Sequence, residues 1–175
     1  MLILVILGQL FEGEAHGYAI KQTIDRILGV HKKISWGSLY PILKKLEKQS
    51  LIKKISTNKQ SGGPKQKTYV ITDAGKKYFY ELMKMPDYSS GDARIIFRYK
   101  LLFFNKIKKE TKIEVIKSYQ QYCREGVKSV EQYLNEIKKQ KSKKITYILE
   151  VLSHSLETYQ LEKEWAEKLL KKENL

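Results

Sequence analysis

The sequence has few of the residues that build disulfides and metal centres. Cys123 is its one cysteine, so no intramolecular disulfide can form, which fits a reducing cytoplasm. The three histidines, His16, His31 and His154, have no partner at metal-ligand spacing, and one thiol cannot build a thiolate cluster. We therefore expect no metal and no cofactor.

Catalytic motifs are also missing from the sequence. It has no Ser-His-Asp or Cys-His arrangement supported by local sequence. Gly62-Gly63-Pro64 is not a phosphate-binding loop, because no Gly-Lys-Ser or Gly-Lys-Thr follows it at the start of a helix. No catalytic residue is predicted, and an enzyme is the least favoured class.

Long apolar runs are absent as well. The only continuous apolar block, Met1–Leu7, is too short to span a bilayer, lacks a basic flank and precedes no small-residue cleavage site. We interpret it as the first helix of a core. No membrane association is expected, and the expected location is the cytoplasm.

Negative charge is scarce relative to positive charge. The 175 residues include 34 Lys and Arg against 19 Asp and Glu, a net charge of +15, which favours a polyanionic partner, nucleic acid first. Residues 1–85 carry 15 Lys and Arg against 6 Asp and Glu, net +9, and residues 86–175 carry 19 against 13, net +6. The nucleic-acid contacts are therefore expected mainly in the first half.

Residues 35–51 have the pattern of an amphipathic helix with a cationic face. Its apolar residues recur at spacings of three and four: Leu39, Ile42, Leu43 and Leu46. Its other faces carry Ser38, Tyr40, Lys44, Lys45 and Lys48. Either Ser35 or Ser38 can cap it, and with Ser38 as the cap Pro41 has no intrahelical bond to lose. Such a surface fits a DNA groove, although a solvated surface helix has the same pattern.

Two strand patterns follow this helix, at residues 51–57 and 67–72, separated by nine turn-forming residues with two lysines. A basic hairpin after a basic helix is typical of a winged helix-turn-helix, whose helix enters the major groove while the hairpin contacts the backbone. The preceding helix is predicted over residues 16–28, ended by Gly29. Between these two helices, residues 30–34 are expected to contribute a very short strand.

Five short motifs occur in order along the first half of the chain. They are His16-Gly17-Tyr18, Gly37-Ser38-Leu39-Tyr40-Pro41, Leu46-Glu47, Gly62-Gly63-Pro64, and Tyr69 with Thr72-Asp73-Ala74-Gly75. In order and spacing they resemble the PadR family of transcriptional regulators, over about residues 1–85. The resemblance implies a homodimer joined by C-terminal helices, with DNA affinity often lowered by an effector, frequently an aromatic compound. Trp36 departs from the family, which commonly has a smaller residue or proline there.

The second half is predicted to be helical. Residues 86–91 are rich in Pro, Ser and Gly and are read as a linker between a DNA-binding domain, 1–85, and a three-helix domain, 92–175. Thr111-Lys-Ile-Glu114 fits a capping box at the start of a long helix with near-heptad apolar spacing. Two long helices cannot alone bury this apolar surface, so we expect a second copy, with a single-chain bundle as the alternative.

Three sets of site residues follow from these patterns. Predicted DNA contacts are Lys32, Lys33, Ser35, Ser38, Tyr40, Lys44, Lys45, Lys48, Lys59, Lys65 and Lys67. Predicted dimer contacts are Ile116, Cys123, Val127, Val130, Leu134, Ile145, Leu149, Leu152, Leu156 and Tyr159. Predicted contacts with an aromatic effector are Tyr99, Phe103 and Trp165.

The expected fold class is mainly α with a small β-wing, an N-terminal winged helix-turn-helix followed by a helical dimerisation domain. The leading hypothesis is a sequence-specific transcriptional regulator that acts as an effector-responsive, homodimeric repressor on a double-stranded DNA operator. A sequence-tolerant architectural nucleic-acid-binding protein is the alternative, and a winged helix that serves as a protein-interaction scaffold is a third. The predicted recognition helix has no arginine, so base readout is expected to be modest.

Overall fold

The computed structural model describes residues 2–29, 33–58, 66–85, 93–139 and 145–174. Within these ranges the chain forms seven α-helices, three strands and one 3-10 turn. In chain order they are α1 Leu2–Leu10, β1 Ala15–His16, α2 Gly17–Leu28, α3 Trp36–Lys48, β2 Ile52–Asn58, β3 Gln66–Ile71, α4 Asp73–Lys84, α5 Ala93–Leu101, the 3-10 turn Phe104–Lys106, α6 Lys109–Lys138 and α7 Thr146–Asn174. The predicted fold class, mainly α with a small β-wing, is confirmed.

The chain divides into two compact units. The first unit comprises Met1–Met85 and Arg98–Ile107, and the second comprises Pro86–Phe97 and Lys108–Leu175. The division therefore passes through α5, because aromatic residues after its midpoint pack into the first unit. The predicted domain ranges assign all of residues 92–175 to one domain and stay a prediction, and the predicted linker, 86–91, lies outside the described residues.

The core of the first unit is built around α1. The apolar residues of this helix from Leu4 to Leu7, and Leu10, are buried nearly completely, as expected for a helix that is apolar on all sides. Phe103 lies directly on Gly8, where an added Cβ would come within 2.5 Å of the phenyl ring. Phe103 also packs edge-to-face on Phe79 of α4, with ring centroids 5.9 Å apart. Glycine at this position lets α1 and the segment after α5 pack closely.

The three strands form one antiparallel sheet in the order β1-β3-β2. Ala15 pairs with Tyr69, and the His16 Nδ1 and Thr68 Oγ1 atoms lie 2.7 Å apart, within hydrogen-bond distance. The third strand thus comes from the residues before α2. The expectation of a short strand within residues 30–34 is wrong for Ile34, because its N–H donates to the Asp25 carboxylate instead of a strand partner.

The turn from the sheet into α4 is fixed by Thr72, which caps this helix. The Thr72 hydroxyl accepts a hydrogen bond from the Gly75 N–H at 3.0 Å and lies 2.7 Å from the Ser50 carbonyl, to which it donates. An added Cβ at Gly75 would fall 2.0 Å from the Leu51 carbonyl oxygen. Close approach of two backbone segments therefore requires glycine here.

The second unit is built on an antiparallel pair of long helices. Lys112 near the start of α6 pairs with Glu173 near the end of α7 at 3.4 Å, and Arg124 lies 3.9 Å from Glu167. The predicted capping box at residues 111–114 is wrong, because α6 begins at Lys109, two residues before Thr111. Of the helices that the structure describes, none has the length and apolar character to cross a membrane.

Buried aromatic rings fill the space between α5, α6 and α7 in the second unit. The Phe97 and Tyr119 rings stack with centroids 4.0 Å apart, and Trp165 packs edge-on against Phe97 at 5.5 Å. The Tyr119 hydroxyl donates to the Glu162 carboxylate at 2.6 Å, and both side chains are buried. A polar pair inside an apolar core fixes the relative register of α6 and α7.

Candidate nucleic-acid interface

The helix-turn-helix is held together by Asp25, a residue that the sequence analysis did not single out. Asp25 Oδ1 accepts a hydrogen bond from the Ile34 N–H at 2.7 Å, and Oδ2 pairs with Lys21 Nζ at 2.5 Å. The hydrogen bond from Lys21, above all, holds the pKa of Asp25 below its usual range. Gly29 ends α2 with a positive φ of 86°, a conformation that glycine tolerates without strain. Together these features fix the entry of the chain into α3.

The start of α3 is capped by Ser35, one of the two serines that the sequence leaves open. The Ser38 N–H donates to Ser35 Oγ at 3.1 Å, and the two hydroxyl oxygens lie 2.9 Å apart. Pro41 consequently lies inside the helix, where its missing N–H leaves the Gly37 carbonyl without an intrahelical partner at that position. The helix tolerates this loss because its opposite face is anchored in the core.

The two faces of α3 separate as the apolar spacing predicts. Leu39, Leu43 and Leu46 are almost fully buried, and Ile42 is half-buried. The opposite surface is exposed and carries Ser38, Tyr40, Lys44, Lys45 and Lys48. Since a core-anchored helix presents a row of cations to solvent, its outer face is available to a polyanion.

The predicted DNA contacts fall into two groups in the structure. The exposed ones are Lys33, Ser35, Ser38, Tyr40, Lys44, Lys45, Lys48 and Lys67. The others, Lys32, Lys59 and Lys65, lie outside the described residues. In the first group, the cations of α3 lie next to Lys67 on β3. The role of these residues in DNA binding stays a prediction.

A shallow cavity separates α3 from β3 on this surface. It has a volume of about 400 Å³ and is lined by Tyr40, Lys44, Glu47, Lys67 and Tyr69. Burial, and next the nearby Glu47 carboxylate, raise the pKa of Tyr69 above its usual range, so its hydroxyl remains a neutral hydrogen-bonding group. The single acidic side chain at this position makes the cavity less cationic than the outer row of lysines.

Two exposed aromatic side chains, Trp36 and Tyr18, were not among the predicted DNA contacts. Trp36 stacks on Tyr40 at the start of α3, with ring centroids 5.1 Å apart. Tyr18, near the start of α2, is exposed. The spacing of four between Trp36 and Tyr40 is a sequence signal that places both rings on one side of a helix.

A second cavity lies within the second unit. Its volume is about 340 Å³, and its described lining residues are Arg94, Tyr122, His154, Ser155, Thr158 and Tyr159. The predicted effector residues do not line it. Tyr99 and Phe103 are buried in the first unit, and Trp165 is half-buried in the second. The aromatic side chains of these segments are therefore divided between the core and the wall of this polar cavity.

The predicted dimer contacts occupy several levels of burial in the single chain. Ile116, Cys123 and Leu134 are buried between the helices of the second unit. Half-buried members of the set are Val127, Val130, Ile145, Leu149, Leu152, Leu156 and Tyr159. The most exposed apolar residues of α7 are others, Tyr147, Val151 and Leu161, at 83%, 64% and 67% exposure.

Cys123 is fully buried against Tyr119. Burial raises the pKa of the Cys123 thiol to about 11, so it is protonated at neutral pH. Among the residues that the structure describes, no group of three or more His, Cys, Asp or Glu side chains is placed to hold a metal ion.

A helix-turn-helix followed by a two-stranded wing, with cations exposed on its second helix, defines a winged-helix DNA-binding protein. Residues 5–81 match the model of the transcriptional regulator PadR-like family. An uncharacterized protein of Lysinibacillus sphaericus is 35% identical over 80 residues, which cover 46% of this chain and 72% of that protein. The chain belongs to the PadR-like family, as the sequence motifs predict, and the members of this family are transcriptional regulators, not enzymes.

Several solved structures align with this chain, and three of them are of PadR or a PadR-like regulator. Bacillus subtilis PadR in complex with operator DNA is 22% identical, with 98% of each chain covered and a TM-score of 0.43. The same protein in complex with p-coumaric acid is 20% identical, with 99% of this chain and 96% of that chain covered and a TM-score of 0.43. A PadR-like regulator of Bacillus cereus is 25% identical, with 99% and 98% covered and a TM-score of 0.41.

Proposed function

We propose that this regulator is a sequence-specific, homodimeric repressor, which binds a double-stranded operator through α3 and the β2–β3 wing. The observation that carries the proposal is the exposed row of Lys44, Lys45 and Lys48 on a helix whose other face is fully anchored in the core. The adjacent Lys67 on β3 extends the cationic surface to the wing. Bound to its operator in the cytoplasm, the protein competes with RNA polymerase.

The α7 face, defined as Tyr147, Val151 and Leu161, supports the dimer. At 100° per residue these side chains fall within about 80° of one another, so they lie on one exposed side of α7, which also carries His154 and Thr158. A twofold copy covers such a face with the same face of its partner. A dimer also explains how two recognition helices are held roughly 34 Å apart, the spacing of successive major grooves on one side of DNA.

The cavity of the second unit supports effector binding. Bacillus subtilis PadR has been solved with p-coumaric acid, an aromatic carboxylic acid. The cavity offers two tyrosine rings together with the His154, Ser155 and Thr158 side chains as hydrogen-bonding groups, which suit a small aromatic compound with polar substituents. His154 and Thr158 lie on α7 within the angular range of the α7 face. A ligand there changes the dimer contact and hence the spacing of the recognition helices.

Electrophoretic shifts test the repressor assignment. The probes are the DNA upstream of the protein's own gene and a scrambled duplex of the same composition. We expect tighter binding to the upstream DNA. If a dimer makes six to ten phosphate contacts, affinity falls roughly 10³- to 10⁵-fold between 50 and 200 mM salt. Equal affinity and an equal salt slope for both duplexes would instead favour the sequence-tolerant architectural protein, which the lack of arginine on α3 makes the second candidate.

The effector assignment is tested with p-coumaric acid as the probe. We expect the acid to raise the thermal midpoint of the protein and to release it from its operator, because a ligand stabilises the state that it binds. The matched variant is His154→Ala, which removes one lining group from an exposed position of α7. Unchanged DNA affinity at saturating acid would contradict effector control by this class of compound and leave the DNA-binding assignment intact.

A further inference from the structure

Trp36 and Tyr40 form an exposed aromatic pair at the start of the recognition helix. Their ring planes are inclined by 27° and their centroids lie 5.1 Å apart, a stacked arrangement. Trp36 keeps 37% of its surface exposed and Tyr40 keeps 46%. Large apolar surface left in solvent beside a row of lysines calls for a partner that combines apolar groups with negative charge.

Two cations hold this pair from outside α3. Lys21 of α2 places its Nζ 5.9 Å from the Trp36 ring centroid, and Lys67 of β3 places its Nζ 5.5 Å from the Tyr40 ring centroid. Lys21 is itself fixed by its ion pair with Asp25. The rings are therefore held between α2 and β3. The charge of Lys21 is balanced by Asp25, so Lys67 beside Tyr40 is the cation of this pair that can meet a DNA phosphate.

The side chains available for base contact at the start of α3 are few. In a helix-turn-helix, the N-terminal residues of the recognition helix contact the base edges. In α3 these residues are Trp36, Gly37, Ser38, Leu39 and Tyr40, of which Leu39 is buried and Gly37 has no side chain. Arg, Asn and Gln, which make bidentate contacts to guanine and adenine, are absent from α3. The aromatic pair thus supplies most of the surface that can meet a base.

We infer that Trp36, supported by Tyr40, is a specificity-determining residue that recognises thymine through its C5-methyl group in the major groove. Thymine alone among the four bases presents a methyl group there, beside the O4 acceptor. An indole ring has an apolar face for the methyl group and one N–H donor, with no acceptor, for the oxygen. The inference rests on the proposed function, because it requires that α3 enters the major groove of an operator.

The experiment removes one methyl group at a time from the DNA. A duplex selected from random DNA by the wild-type protein is resynthesised with each thymine in turn replaced by deoxyuridine, and affinity is measured by fluorescence anisotropy. We expect a loss of about fourfold for each contacted methyl group, at one or two thymines per half-site. Trp36→Ala should bind the thymine and deoxyuridine duplexes equally, so that the effects of the protein and DNA changes are not additive.

Two further variants separate base contact from other effects. Trp36→Phe keeps an aromatic ring and should keep part of the sensitivity to deoxyuridine. This variant still tests the contact if Trp36→Ala fails to fold. Lys48→Ala, which alters an exposed cation at the other end of α3, should weaken all duplexes alike and leave the sensitivity unchanged.

The outcomes distinguish this inference from the proposed function. If the wild-type protein prefers the selected duplex to a scrambled one but no deoxyuridine substitution changes its affinity, the thymine contact is wrong and the repressor assignment stands. Undiminished sensitivity in Trp36→Ala or Trp36→Phe also overturns the contact. Equal wild-type affinity for selected and scrambled duplexes overturns both.

Discussion

The recognition helix α3 and the C-terminal helix α7 each bury one face and expose another, but the exposed faces differ in chemistry. The outer face of α3 carries Lys44, Lys45 and Lys48, whereas the α7 face carries Tyr147, Val151 and Leu161. Charge on an exposed helix is stable in water and attracts a polyanion, while an apolar strip is stabilised by being covered. In the proposed function the two faces take different partners, DNA for α3 and a second copy for α7.

The largest effect is expected from charge placed on the α7 face. Val151→Asp combined with Leu161→Asp puts four carboxylates into a twofold interface in place of apolar side chains that each contribute about 1.5–3 kcal/mol when buried. We expect the dimer dissociation constant to rise by at least about 10³-fold. Light scattering after size-exclusion chromatography measures the change, and a circular dichroism spectrum checks that the helices persist.

The matched control for this variant changes exposed residues of α7 that lie outside the α7 face. Glu157→Lys with Glu164→Lys also alters two charges on α7 and should leave the oligomeric state unchanged. If the aspartate variant has the same molar mass in solution as the wild-type protein, the α7 face is not the dimer contact. The comparison between the two helices then fails.

The next effect concerns the cations of α3. Lys44→Ala with Lys45→Ala removes four positive charges from a dimer, and we expect operator affinity at low salt to fall on the order of 10²-fold, with a shallower salt dependence. Lys171→Ala with Lys172→Ala is a matched control, because it removes an equally exposed, adjacent pair of lysines from α7. Anisotropy titrations at several salt concentrations measure both. Equal losses in the two variants would mean that total charge, and not the α3 surface, determines binding.

Periodicity predicted α3 and its buried face well, because burial of Leu39, Leu43 and Leu46 is a local pattern at helical spacing. The choice between Ser35 and Ser38 as the cap was not settled by sequence. The structure places Ser35 there, directly after Ile34, whose N–H donates to Asp25, nine residues earlier. Local sequence does not contain that tertiary contact.

Other features depended on partners remote in sequence. β1 is only two residues long and exists because it pairs with Tyr69 and Thr68 of β3, a contact that no local strand pattern indicates. The start of α6 at Lys109 overrides a plausible capping box at Thr111, because hydrogen-bonded turns begin before it, with the Lys112 N–H donating to the Lys108 carbonyl. The predicted dimer contacts leave out Tyr147, Val151 and Leu161, because they were chosen at heptad spacing, which selects one face of α7 and not this one.

The smallest effect concerns how α3 is positioned, and it is detected as a pH dependence. The pKa of Asp25 is lowered in the folded protein by Lys21, so the stabilisation it gives is present above the ordinary carboxyl pKa and is lost as pH falls through the lowered value. Asp25→Asn keeps an acceptor for the Ile34 N–H but loses the charge. We expect it to lower the thermal midpoint at neutral pH, with the difference from wild type shrinking as pH falls below about 4. Asp73→Asn, at an exposed carboxylate that also pairs with a lysine, is the control and should show a smaller difference. A difference between Asp25→Asn and wild type that is constant from pH 3 to 7 would show that the carboxylate charge does not hold the helix-turn-helix, and the cationic face of α3 would then be positioned by core packing alone.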